Sequence, residues 1–81
     1  MKNKYNIGDI FVFQSNKSSS KNISTITGYG YKPHLNCFAY DVQQHYINHD
    51  GFDHISNYET EEGSLRIMID RDGYIHYPVV K

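Results

Sequence analysis

The sequence predicts a mostly β protein, α+β at most: a small antiparallel, strongly bent sheet of five to six strands or an SH3-like barrel, with one short helix near 57–62. Three observations carry this. Residues 36–47 alternate cleanly between apolar and polar. β-branched and aromatic runs, Ile10–Phe13 and Ile23–Tyr31 among them, are bounded by turn residues. Asp-Gly occurs twice, at 50–51 and 72–73, each time followed by an aromatic residue. Eighty-one residues make a single domain, spanning 1–81. A chain of this length buries only about 60–65% of its unfolded surface.

In chain order, Ile7-Gly8-Asp9 leads into Ile10-Phe11-Val12-Phe13, apolar on both faces and therefore an interior strand. Gln14 to Asn22, with three consecutive serines, reads as a polar loop or hairpin tip. Ile23 to Tyr31 forms a strand in which Gly28 and Gly30 mark a bulge or bend, and Lys32-Pro33-His34 ends it. From Asn36 to Ile47, Phe38, Tyr40, Val42 and Tyr46 share the core face, with Gln44 near its edge. Asp41, Gln43 and His45 share the other.

Ser56-Asn57-Tyr58-Glu59 fits a capping box, and Gly63 closes a short helix over 57–62. The segment 64–81 reads as a hairpin around Arg71-Asp72-Gly73. In that register Ile69 faces Ile75, Ile67 faces Tyr77 and Leu65 faces Val79, so every apolar partner falls on one side. Pro78 lacks an N–H and places the last strand at an edge.

"INHDGFDHI" (47–55) and "IDRDGYIHY" (69–77) share the pattern Ile-x-x-Asp-Gly-aromatic-x-His. A three-residue hairpin turn whose Asp-Gly supplies the positive-φ position explains both copies. The histidines His45, His49 and His54 with Asp53 suggest metal ligands, but Asp50-Gly51 forbids a helix through them. On a strand, His45 and His49 stand about 13 Å apart. The second copy, moreover, has Arg71 where the first has His49. Turn chemistry accounts for the cluster, and neither a metal nor another cofactor is expected.

A net charge of −1 argues against a duplex nucleic-acid binder. The longest apolar run is four residues, too short for a membrane span or signal peptide, so a cytoplasmic location and no membrane partner are expected. The tripeptides 16–18 and 22–24 match the glycosylation pattern by chance. One cysteine, Cys37, allows no internal disulfide. Stability must come from eight tyrosines and four phenylalanines, from self-association into a homodimer, or from both. An edge strand near 74–80 or 23–31 would supply such pairing.

No phosphate loop or nucleophile arrangement is present, and no catalytic residue is expected. The sequence favours a non-catalytic protein-interaction module. The partner is of unknown identity and would be contacted by Tyr29, Tyr31, His45, Tyr46, His49, Phe52 and His54. The use of Ile, Asn, Lys and Tyr suggests AT-rich coding in a low-GC bacterium or its phage, and with it an inhibitor of a host or defence protein. Two alternatives come from other classes. One is a small barrel binding single-stranded nucleic acid or nucleotides through Tyr29, Tyr31, Tyr40 or Tyr46. The other is a metal-dependent enzyme at His45, His49 and His54.

Overall fold

The computed structural model describes residues 5–15, 20–48 and 50–80. Five strands and one helix follow in the order β1 (Ile10–Gln14), β2 (Lys21–Lys32), β3 (Cys37–Ile47), β4 (Asp53–Glu61), α1 (Glu62–Asp70) and β5 (Ile75–Tyr77). The strands make one antiparallel sheet in the order β4-β3-β2-β1-β5. β1 is interior, as its two apolar faces predict, and β5 is an edge, as Pro78 predicts. The other edge is β4. β2 lies between β3 and β1 and offers no edge for self-pairing. The sheet stays open, so the barrel alternative does not hold.

β3 follows its alternation. Phe38, Tyr40 and Val42 are buried on one face, and β2 contributes Ile26 opposite Val42. The β2–β3 register shifts between Ile26 and Gly28, which places the expected bulge at Thr27. The turn 33–36 closes with the Leu35 N–H on the Lys32 carbonyl at 3.0 Å. Asn36 takes a positive φ of 54°, a conformation asparagine tolerates better than most residues.

The helix expected at 57–62 is absent there. Residues 53–61 form β4, with Tyr58 paired to Val42 and Ser56 to Gln44, so the supposed cap is a strand residue. The helix is instead 62–70, where the hairpin arm was expected. Leu65, Ile67 and Ile69 suggested a period of two, but Leu65, Met68 and Ile69 also satisfy the helical spacing i, i+3, i+4. Leu65 is fully buried, and Met68 and Ile69 pack against the core.

Topology decides between the two readings. Four antiparallel steps separate β4 from β5, so those two strands run parallel at opposite edges, and parallel strands need a crossover. Four strand spacings are about 19 Å, and a nine-residue helix covers about 13.5 Å of that. Its burial on the sheet replaces the pairs Ile69–Ile75, Ile67–Tyr77 and Leu65–Val79. β5 pairs with β1 instead, with Phe11 opposite His76 and Val12 opposite Ile75.

The core lies between α1 and one sheet face, built from Tyr5, Phe11, Ile26, Phe38, Tyr40, Val42 and Leu65. No helix of the described residues is long and apolar enough to cross a membrane.

Candidate functional site

Aromatic rings form a continuous line across the helix-covered face. Tyr31 meets Phe38 edge-on at 5.4 Å between centroids, and Phe38 meets Tyr29 at 6.1 Å. Tyr29 then reaches Tyr40 at 6.0 Å, and Tyr40 reaches Tyr5 at 5.6 Å. Edge-to-face contacts at these distances suit the ring quadrupole and hold each ring in place. The line comes to the surface at both ends.

At the β2–β3 turn, Tyr29 and Tyr31 are 43% and 39% exposed, beside the exposed Leu35. They stand two residues apart on one strand and therefore on one face. The Tyr31 hydroxyl donates to Asn36 Oδ1 at 2.6 Å, which fixes the ring against the turn. Lys32 and Glu59, paired at 3.5 Å, lie on the opposite face of the sheet, since they stand across from Cys37 and Asp41.

At the other end Phe11 stacks on the His76 imidazole at 4.7 Å and 11°, and Tyr5 meets that ring at 5.3 Å. His76 Nε2 lies 2.8 Å from Oδ2 of Asp9, a carboxylate only 1% exposed. The backbone N–H groups of Val79 and Asn6 donate to the same carboxylate at 2.9 and 3.2 Å. Burial alone would raise the Asp9 pKa. The hydrogen bonds from Val79, His76 and Asn6, with the imidazole's charge, outweigh it and hold the carboxyl below its usual range.

His76 also forms one wall of an open cleft of about 450 Å³, lined with it by Tyr5, Arg66, Ile69 and Asp70. Arg66 and Asp70 pair with each other at 3.2 Å. The cleft's lining offers an imidazole oriented by a carboxylate but no thiol or aliphatic hydroxyl. Cys37 is elsewhere. Partial burial, then Glu61 and Glu62, push its thiol pKa up and away from the reactive thiolate.

Sequence reasoning gave His76 only a place in the second Asp-Gly pattern and Asp9 only a place in a strand entry. Sixty-seven positions separate Asp9 from His76, and neither sits in a local pattern that announces the other.

The expected contact residues do not form one surface. Tyr29 and Tyr31 come together. Tyr46 and His54 are cross-strand partners on the same face as those tyrosines, and the Tyr46 hydroxyl donates to Ser20 Oγ at 3.2 Å. His45 pairs with Ile55 and so projects from the opposite face, 3.3 Å from Asp53 Oδ2. Phe52 is exposed in the β3–β4 turn. His49 lies outside the described residues. With His45 and His54 on opposite faces, the proposed ligand cluster is not assembled. Among the described residues no group of three or more His, Cys, Asp or Glu is placed to hold a metal ion.

No protein-family model matches the chain, and comparison with curated proteins and with solved structures found no match.

Proposed function

We propose that the chain is a non-catalytic interaction module that binds a protein partner through Tyr29, Tyr31 and Leu35. One observation carries this reading: two neighbouring tyrosines, each about two-fifths exposed, are held in fixed orientations by Phe38 and Asn36 beside an exposed leucine. Tyrosines that pay little entropy on binding are the residues that dominate interface energetics. Inhibition of a bacterial host or defence protein is the form of this activity that the composition suggests.

The test compares the wild type with a Tyr29→Ala/Tyr31→Ala variant in quantitative affinity capture from bacterial lysate. The expected result is a protein recovered by the wild type and reduced at least about tenfold by the variant, since two hot-spot truncations each cost more than ~1 kcal/mol. Equal recovery by both would overturn the proposal. So would a wild type that captures nothing while binding labelled single-stranded oligonucleotides through the same two rings. That outcome would assign the tyrosines to base stacking.

A further inference from the structure

The sheet face turned away from α1 carries a transverse apolar row. Following the registers from β4 to β5, Ile55 pairs with His45, His45 with Ile23, Ile23 with Val12 and Val12 with Ile75. Residues directly opposite in antiparallel strands share a face, so all five project together. The next row adds Ile10 and Tyr77, opposite each other. Ile55 and Ile75 are 54% and 57% exposed. The helix covers only the other face. The same face is polar on β3 and β4 through Asp41, Gln43, Asn57 and Glu59, as a water-facing antiparallel face commonly is, so the apolar patch is confined to this row and to Ile10 and Tyr77.

We propose that this bare face is closed by a second copy of the same chain, packed sheet on sheet. Shape, area and symmetry favour a copy. The radius of gyration is 13.3 Å, against roughly 11.7 Å for an isometric domain of this length. The principal extents of 42 × 28 × 22 Å describe an elongated body, a sheet with α1 packed on one face and no described element packed on the other. Five strands and five paired positions give a footprint of roughly 400 Å². Two such faces with side-chain relief remove on the order of 1,200 Å² in total, the lower end for specific interfaces.

A two-fold axis along the row stacks each of its aliphatic residues on its own counterpart. It sets Lys21 over Thr25 and Asp53 over Asn57, so neither of these charges meets its like. His45, the polar member of the row, keeps its contact with Asp53 within one chain.

Sedimentation or light scattering on the full chain tests this, with Ile55→Lys/Ile75→Lys as the variant. Both side chains are more than half exposed, so the fold should tolerate the change. At about 100 µM the wild type should approach twice the chain's 9.5 kDa and dissociate on dilution. The variant should remain monomeric with an unchanged circular-dichroism spectrum, and Tyr31→Ala should dimerise like the wild type. As a readout that needs no variant, concentration-dependent amide shifts in the wild type should fall on residues 10–14, 21–25, 43–47, 53–57 and 75–77. A wild type that stays monomeric to several hundred micromolar overturns the proposal. So does a dimer that the double variant weakens less than tenfold, or shifts confined to the β4 edge, the cleft or the tyrosine patch.

Discussion

Asp9 concentrates more of the molecule's connectivity than any surface residue expected to matter. Its carboxylate accepts from residues 6, 76 and 79 while almost wholly buried. Removing one partner of such an arrangement leaves buried donors unsatisfied, so Asp9→Ala should cost about 3 kcal/mol or more, read as a lower urea midpoint. The pH dependence has a definite sign. The folded carboxyl titrates below its usual range, whereas in the unfolded chain it titrates near about 3.9. Protons therefore bind the unfolded state more readily, and the stabilisation is whole above that value and declines as pH falls through the lowered folded pKa. The urea midpoint of the wild type should hold from neutral pH down to about 5 and fall below about 4. Asp9→Asn should start lower and show a shallower fall. The Ser24 hydroxyl presents the opposite case, buried with no hydrogen-bond partner among the described residues. Ser24→Ala should therefore raise stability by up to about 1 kcal/mol, or roughly 4–8 °C in Tm by thermal melting.

At the scale of elements, the two Asp-Gly corners show what a sequence does and does not specify. Gly51 and Gly73 have φ of +85° and +82°, as the shared pattern requires. The first corner joins antiparallel strands, with the Asn48 N–H donating to the Phe52 carbonyl at 2.9 Å. The second ends a helix: the Asp72 N–H reaches the Ile67 carbonyl at 3.2 Å and the Tyr74 N–H reaches that of Met68 at 3.0 Å. The same local signal serves both, because positive φ is needed wherever the backbone reverses. What lies before it was legible for β3, whose alternation runs through eleven residues. It was not legible for 64–70, where the apolar residues satisfy both periods and only the need for a crossover selects the helix. Asn48 is the organiser that sequence reading passed over. Its Oδ1 accepts from the N–H groups of both Asp50 and Phe52 at 3.0 Å. Asn48→Ala should destabilise by about 1–2 kcal/mol, and Asp50→Ala, whose side chain is not needed to accept those bonds, by less. Denaturant titration of the two variants compares them directly, and an equal loss would return the corner to its aspartate.

Over the whole molecule, the pairing ladder weakens from the centre to one edge. β2 and β3 share eleven paired positions, β1 and β5 only three. A three-residue edge strand should open locally long before the sheet unfolds. What restrains it is the contact of His76 and Val79 with Asp9, some seventy residues earlier in the chain. That contact is invisible to any window of sequence, which is why β1, β2 and β3 were legible and the cleft beside α1 was not. Hydrogen exchange on Asp9→Asn separates a local clasp from a general contribution to stability. A charge-assisted bond lost from a buried site is worth about 2 kcal/mol, which corresponds to roughly thirty-fold in an opening equilibrium. If the clasp is local, amides of residues 75–79 should exchange about that much faster, and those of β2 and β3 should change only by the loss in global stability measured independently with denaturant. If β5 opens only when the whole sheet does, amides of both regions accelerate by one common factor. The carboxylate would then be a core residue like any other, and β5 would open only with the fold.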